Sequence, residues 1–203
     1  MSGSVASASH RFRLIFLLPL LSLLLTGCGY NNIPTFEEQA KAKWAEVLNQ
    51  YQRRTDLIPN LVETVKGFAK QESTVLEAVT AARASATSVK VDASTITDPE
   101  AFKKFQEAQA QLSGSLARLL AISENYPVLK SDQNYLALQS QLEGTENRIA
   151  VARRDYIEAV RIYNTELKTF PGSFWARLFY PGNKPMEVFT IADSAKTVPA
   201  VKF

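Results

Sequence analysis

Apolar residues recur at helical spacing along the middle of the chain. One row repeats every seven residues, apart from an interruption at Glu72. The row comprises Trp44, Tyr51, Ile58, Val65 and Val79, and a second row comprises Val47, Leu61, Phe68 and Val75. Such spacing puts each row on one face of a helix and is typical of helices packed in a bundle.

Pro59 interrupts this pattern and allows two predictions. Because the repeat keeps its phase across Pro59, one kinked helix over about 36–88 is conceivable, but at ~1.5 Å per residue it would be about 80 Å long. Alternatively, the helix ends at 54–58 and a new one begins with Asp56 as its N-cap, since proline lacks an amide donor. We favour the split, because the shorter pieces match the later segments in length.

Further helix boundaries follow from capping signals. Thr35–Glu38 matches a capping box, so the first helix should begin near Phe36. The segment 84–97 is expected to be a connector, and Asp98-Pro99-Glu100 to begin a helix that ends at Asn125-Tyr126-Pro127. Ser131 or Asp132 should cap the last long helix. The expected buried positions of these two helices are Phe102, Phe105, Leu112, Leu116, Leu119, Leu120, Tyr135, Leu138, Leu142, Ile149, Tyr156, Val160, Tyr163 and Leu167.

The predicted fold class is therefore all-α, an antiparallel up-and-down four-helix bundle of long helices. The bundle is expected over residues 35–170. An extended, aromatic-rich tail with at most one short strand or turn of helix should occupy residues 171–203.

The N-terminus has the pattern of a secretory leader. His10, Arg11 and Arg13 precede an apolar run from Leu14 to Leu25. From Leu14 to Gly27 a helix would span only about 21 Å, short of the ~30 Å hydrocarbon core. Residues 1–27 are therefore predicted to be a signal peptide.

Leu25-Thr26-Gly27-Cys28 resembles the lipobox of bacterial lipoproteins. We expect cleavage before Cys28, a covalent lipid on its thiol, and a lipidated tether over 28–34. The alternative is a short transmembrane anchor with an incidental cysteine. In lipoproteins generally, Asp after the lipidated cysteine favours inner-membrane retention, and here that residue is Gly29. An outer-membrane anchor with the body in the periplasm is therefore favoured, and the inner membrane is the alternative.

Composition limits the chemistry of the mature chain. Removing Arg11 and Arg13 from the 23 basic residues leaves 21, against 20 acidic ones, which gives no electrostatic footprint for nucleic acid. His10 and Cys28 are the sole histidine and cysteine of the sequence. The mature chain therefore lacks imidazole for acid–base catalysis and for most zinc sites. No cofactor is expected besides the lipid on Cys28.

Two groups of residues are candidates for function. The first is a polar cluster, expected to be an internal network that fixes helix register or, alternatively, a polar groove for a partner. Its members are Arg53, Arg54, Asp56, Asn60, Glu143, Glu146 and Asn147. The second is an aromatic strip, expected to pack over the end of the bundle or, alternatively, to touch a partner or a membrane. Its members are Phe174, Trp175, Phe179 and Tyr180.

Two blocks of the sequence resemble the LemA family. One is Arg53–Glu72, RRTDLIPNLVETVKGFAKQE. The other spans Glu124–Pro171 and contains ENYPVLKS, LQSQLEGTENRIAVARRDY and VRIYNTELKTFP. The resemblance implies an antiparallel four-helix bundle, a location in the bacterial envelope and no established enzymatic activity. Many members of the family carry an N-terminal transmembrane helix, from which the shorter leader and Cys28 depart.

The function favoured by the sequence is a non-enzymatic, membrane-anchored scaffold or adaptor for other envelope proteins. The alternative is a hydrolase or other enzyme that uses Arg53, Asp56, Glu143 and Glu146. The identity of the partners is not predicted, and the sequence leaves a homo-oligomer open.

Overall fold

The computed structural model describes residues 29–190, and the prediction of an all-α protein is confirmed for that range, which contains no strand. Within it lie two 3-10 turns, Lys70–Glu72 and Thr95–Thr97. The α-helices are α1 (Asn32–Phe68), α2 (Ser73–Ser88), α3 (Pro99–Ser123), α4 (Pro127–Lys130), α5 (Gln133–Lys168) and α6 (Gly172–Phe179). No helix of residues 29–190 is both long enough and apolar enough to cross a membrane. The leader and Cys28 lie outside the described residues.

Helix α1 continues through Pro59, so the predicted split at 54–58 is wrong. Ile58 and Leu61, which flank the proline, are both buried in the core, while Pro59 itself is exposed. Burial of these neighbours outweighs the single amide donor that proline lacks. The chain instead leaves the helix after Phe68, where Ala69 adopts φ −128° and ψ 57°.

The caps are partly as predicted. Asp98 accepts hydrogen bonds from the amides of Glu100 and Ala101, and Asp132 accepts one from Tyr135, so both N-caps are confirmed. The capping box at Thr35 is wrong, because α1 already begins at Asn32 and the Thr35 hydroxyl donates to the carbonyl of Asn31 at 2.7 Å. Helix α2 likewise runs on to Ser88, into the segment expected as a connector.

Helices α1 and α5 lie side by side in opposite directions. The amide of Asn32 contacts Glu166, and much farther along α1 the guanidinium of Arg54 contacts Glu146. Helix α2 turns back along α1, where Arg83 donates to the carbonyl of Thr55 at 3.1 Å. Helix α3 packs against both the α1–α5 pair and α2.

The buried side chains form two hydrophobic clusters along the long helices. The predicted apolar rows are mostly confirmed, but Phe68 is 40% exposed. One cluster is rich in aromatic residues and includes Trp44, Tyr51, Phe102, Phe105, Tyr156, Tyr163 and Phe189. The other is mainly aliphatic and includes Ile58, Leu61, Leu76, Leu112, Leu116, Leu119 and Leu142.

The tail is not entirely extended. It begins with the eight-residue helix α6, which is longer than the single turn that the sequence predicted. Residues 183–190, here called the strap, then run without helix back along α5. Met186 and Phe189 of the strap are buried in the aromatic cluster, so the strap completes this part of the core.

Candidate functional site

A layer of polar residues separates the two hydrophobic clusters. We call it the polar layer, and its buried members are Arg54, Thr55, Gln109 and Thr145, which Glu146 joins from the edge. Arg54 follows Tyr51 of the aromatic cluster and precedes Ile58 of the aliphatic one on the same face of α1. Gln109 lies between Phe105 and Leu112 in the same way on α3.

Arg54 is the centre of this layer. Its side chain is 1% exposed, and its Nη1 donates to the Ser113 hydroxyl at 2.8 Å and to Glu146 Oε1 at 3.1 Å. Its Nη2 donates to the side-chain oxygen of Gln109 and to the carbonyl of the same residue at 3.4 Å. The guanidinium carbon also lies 4.9 Å from the centre of the Tyr51 ring. A charge held this far from water requires such partners.

The other members of the predicted polar cluster do not join Arg54. Arg53 and Asp56 line a shallow hollow on the surface, where Asp56 accepts from the Gln52 amide at 2.7 Å. Glu143 is exposed and accepts from the Gln139 amide at 3.0 Å. Asn60 and Asn147 are exposed as well. Of the predicted set, the structure therefore brings together only Arg54 and Glu146.

Sequence reasoning missed Gln109 and Ser113. Gln109 interrupts the apolar face between Phe105 and Leu112, and a polar residue on a buried face signals a hydrogen-bonded contact. The same criterion distinguishes Arg54 from Arg53, since only Arg54 falls at the seven-residue spacing between Val47 and Leu61 of the second apolar row.

An open groove between α3 and α5 reaches the polar layer, since Arg54, Gln109 and Glu146 are part of its lining. It has a volume of about 710 Å³, and its lining includes Lys103, Gln106, Ala110, Ile149, Arg153 and Phe189. Arg153 lies over the Phe189 ring at 4.3 Å, which is a cation–π contact. Tyr51 also lines the groove, and burial raises the pKa of its phenol above the ordinary value. The groove thus combines charged, amide and aromatic surfaces.

The strap leads into this groove. Asn164 of α5 donates to the carbonyl of Met186 and accepts from its amide, both at 2.9 Å. The phenols of Tyr156 and Tyr163 donate to the carbonyls of Glu187 at 2.7 Å and Lys184 at 3.2 Å. Side chains of α5 therefore hold the backbone of the strap, and its last two residues, Phe189 and Thr190, line the groove.

The predicted aromatic strip divides into an inner and an outer part. Trp175 and Tyr180 are partly buried and pack against the aromatic cluster. The Tyr30 ring contacts Trp175 edge-on, with centroids 5.8 Å apart, and Phe179 at 5.4 Å. Phe174 and Phe179, by contrast, are 52% and 50% exposed.

Close contact fixes α6 on the end of α5. A Cβ atom on Gly172 would lie 2.3 Å from the carbonyl oxygen of Glu166, so only glycine fits there. The Glu166 carboxylate in turn accepts from the Asn32 amide at 3.1 Å. The first turn of α1, the end of α5 and the start of α6 thus meet at one point, and the orientation of the aromatic strip is fixed there.

Within residues 29–190, no three side chains of His, Cys, Asp or Glu come together as a metal site would require. The carboxylate nearest to the centre of the polar layer, Glu146, is paired with Arg54. The chemistry that this geometry supports is recognition through hydrogen bonds, charge and aromatic contact.

Comparison with known families agrees with these features. The family model described as "LemA family" matches residues 43–203, which is most of the chain. The chain belongs to the LemA family. The LemA region includes the polar layer, the groove, α6 and the strap, so the family match extends beyond the helices to the tail.

Among curated proteins, the LemA chain is similar to magnetosome proteins. It is 27% identical over 197 residues to Magnetosome protein MamQ 2 of Paramagnetospirillum magneticum, covering 89% of this chain and 72% of that protein. MamQ 1 of the same organism gives the same values. Magnetosome protein MamQ of Magnetospirillum gryphiswaldense is 27% identical over 176 residues, covering 79% and 64%.

Proposed function

We propose that this LemA-family protein is a non-enzymatic scaffold, tethered to a bacterial envelope membrane by a lipid on Cys28, that binds segments of other envelope proteins. The proposal includes the antiparallel up-and-down arrangement of the four long helices. It also includes cleavage before Cys28 and an outer-membrane anchor with the helices in the periplasm.

The observation that carries the scaffold role is the groove between α3 and α5. The strap enters it as an extended chain whose backbone is held by Tyr156, Tyr163 and Asn164. The groove is also lined by Gln106 and Ala110 of α3 and by Ile149 of α5. A surface of this kind suits a second extended segment, whose polar groups can bond to Lys103 and the amides and whose apolar side chains can pack on Ile149.

The polar layer supports a structural role for the charged residues rather than catalysis. The two terminal nitrogens of Arg54 are bonded to Ser113, Gln109 and Glu146. Such a network fixes the register of α1, α3 and α5, which a rigid scaffold needs. Helix α1, with 37 residues, spans about 55 Å, so it can hold the groove away from the bilayer.

Site-specific crosslinking in cells tests the scaffold role. A photo-reactive residue replaces Ala110 in the groove, and the control replaces Ala81, which is exposed on α2. We expect one discrete crosslinked protein from position 110 and none from 81.

Adjacent lysines supply a matched second control. Lys103 lines the groove and the exposed Lys104 does not. Lys103→Glu should reduce the crosslink from position 110, while Lys104→Glu should leave it unchanged. Equal yields in both variants, or equal labelling from positions 110 and 81, would contradict binding in the groove.

A further inference from the structure

An apolar surface remains uncovered at the end of the molecule where α6 lies. We call it the aromatic face. Its members are Phe170, 84% exposed, Phe174, 52%, Leu178, 59%, and Phe179, 50%. Within α6, Phe174 and Leu178 are four residues apart and so lie on the same side of the helix, and Phe170 precedes the helix. Four large apolar side chains exposed to this extent within residues 170–179 indicate a contact surface.

The segment that carries the aromatic face is basic, while the Glu166 carboxylate beside Gly172 accepts from the Asn32 amide. Residues 168–184 contain Lys168, Arg177 and Lys184 and no acidic residue. All three basic side chains are on exposed residues. Short amphipathic helices with aromatic residues on one side and basic residues beside them typically lie in the interface between membrane and water.

The start of the described chain is next to the aromatic face. Tyr30 contacts the rings of Trp175 and Phe179, and its carbonyl accepts from the Tyr180 phenol at 3.4 Å. Tyr30 follows Cys28 by two residues and Leu25, the end of the apolar run, by five. Even a fully extended chain covers less than about 18 Å over five residues. Any membrane anchor in residues 14–28 therefore brings the aromatic face to the bilayer surface.

We propose that the aromatic face inserts into the headgroup region of the bilayer and that Lys168, Arg177 and Lys184 contact lipid phosphates. The occupant is lipid rather than protein because Tyr30, two residues after Cys28, contacts Phe179 of the face, and because residues 168–184 carry three basic side chains and no acidic one. This inference rests on the proposed anchoring, and it adds a second membrane contact that fixes how α1 and α5 stand on the membrane.

The contact can be measured by tryptophan quenching. The full-length, lipidated protein is reconstituted into phosphatidylcholine–phosphatidylglycerol vesicles with or without brominated acyl chains. Trp44 is 2% exposed in the core and Trp175 lies beside the aromatic face, so comparison with Trp175→Phe isolates the signal of Trp175. We expect brominated lipid to reduce the fluorescence of Trp175 by about half and to leave that of Trp44 unchanged.

Paired variants distinguish insertion from simple proximity. Phe174→Ser with Leu178→Ser should abolish the quenching. The control, Leu136→Ser with Val151→Ser, removes apolar side chains of similar exposure, 47% and 48%, from α5. It should leave the quenching of Trp175 unchanged.

Failure of this inference is distinguishable from failure of the anchor. Unquenched Trp175 in protein that carries its lipid and sediments with the vesicles would overturn the inference and leave the anchoring intact. The same result with a crosslink from position 174 to another protein would assign the face to protein binding and also overturn it. Purified protein that carries no covalent lipid and does not sediment with the vesicles would contradict the proposed anchor itself.

Discussion

Arg54 of α1 and Glu146 of α5 pair at 3.1 Å across the two longest helices, but water reaches them unequally. Arg54 is 1% exposed and the Glu146 side chain 43%. The arginine therefore depends on its protein partners, whereas the glutamate keeps much of its hydration. Because the pair lies in the polar layer, loss of either residue should lower the stability of the fold and weaken the register between α1 and α5.

We expect Arg54→Ala to lower the free energy of unfolding by about 2–5 kcal/mol, since it removes the bonds to Gln109 and Ser113 and leaves a cavity. Glu146→Ala should cost less, about 1–3 kcal/mol, because Arg54 keeps its other partners. Urea denaturation followed by circular dichroism measures both.

Two controls accompany this pair. Arg54→Met fills most of the space with an apolar side chain and should cost less than Arg54→Ala, because the cavity is avoided although Gln109 still loses its partner. The exposed pair Lys43–Asp155, at 3.6 Å, should contribute less than about 1 kcal/mol when Lys43 is changed to Ala. Equal costs for Lys43→Ala and Arg54→Ala would contradict a structural role for the polar layer.

The long helices could be predicted from the sequence because their signal is local. The row of Trp44, Tyr51, Ile58 and Val65 is buried as its spacing predicts. Pro59 misled the prediction, since the penalty of a proline is local while the packing that overcomes it is not. The break at Ala69 has no proline beside it, and it depends on how α2 must fold back on α1.

We predict that the strap is held mainly by Asn164, which makes two hydrogen bonds to the backbone of Met186. Asn164→Ala should cost about 1–3 kcal/mol and expose the Met186 amide to hydrogen exchange. Asn134→Ala, at an exposed position on α5, serves as the control. Unchanged protection of the Met186 amide in Asn164→Ala would show that the strap is fixed in another way.

The strap could not be foreseen from its own residues. Its sequence, NKPMEVFT, has no helical or alternating period, and its partners Tyr156, Tyr163 and Asn164 lie on a different helix. The groove beside it was missed for the same reason. Only the three-dimensional meeting of α1, α3, α5 and the strap creates it.

Gly172 should tolerate no larger side chain. In Gly172→Ala the new Cβ would meet the Glu166 carbonyl at 2.3 Å, so α6 must move away from α5, at a cost of about 1–3 kcal/mol. Gly182→Ala is the matched control, because its Cβ would have no neighbour within 4 Å. Thermal unfolding together with Trp175 fluorescence reports the difference. Equal melting temperatures in the two variants would contradict the close contact.

Alkaline pH should destabilise the fold through Tyr156. Burial, with a smaller effect of Glu187, raises the pKa of its phenol well above the ordinary value. Above about pH 10, an unfolded chain releases this proton while the folded chain retains it, so the free energy of unfolding falls as pH rises. Below that pH this contribution to stability is fully present.

Removing the hydroxyl of Tyr156 isolates the contribution of its ionisation to the loss of stability at high pH. Tyr156→Phe loses the bond to the Glu187 carbonyl and should be less stable at neutral pH. Its stability should also decline less steeply above pH 10, as measured by denaturant titrations across that range. An identical alkaline decline in both proteins would exclude Tyr156 as a cause.

Mass spectrometry of the protein extracted from membranes tests the anchor on which the scaffold proposal depends. We predict an N-terminus at Cys28 that carries a diacylglyceryl group, and release of the protein from membranes in Cys28→Ser. An unmodified chain beginning at Met1, still bound to the membrane when Cys28 is replaced, would contradict the account.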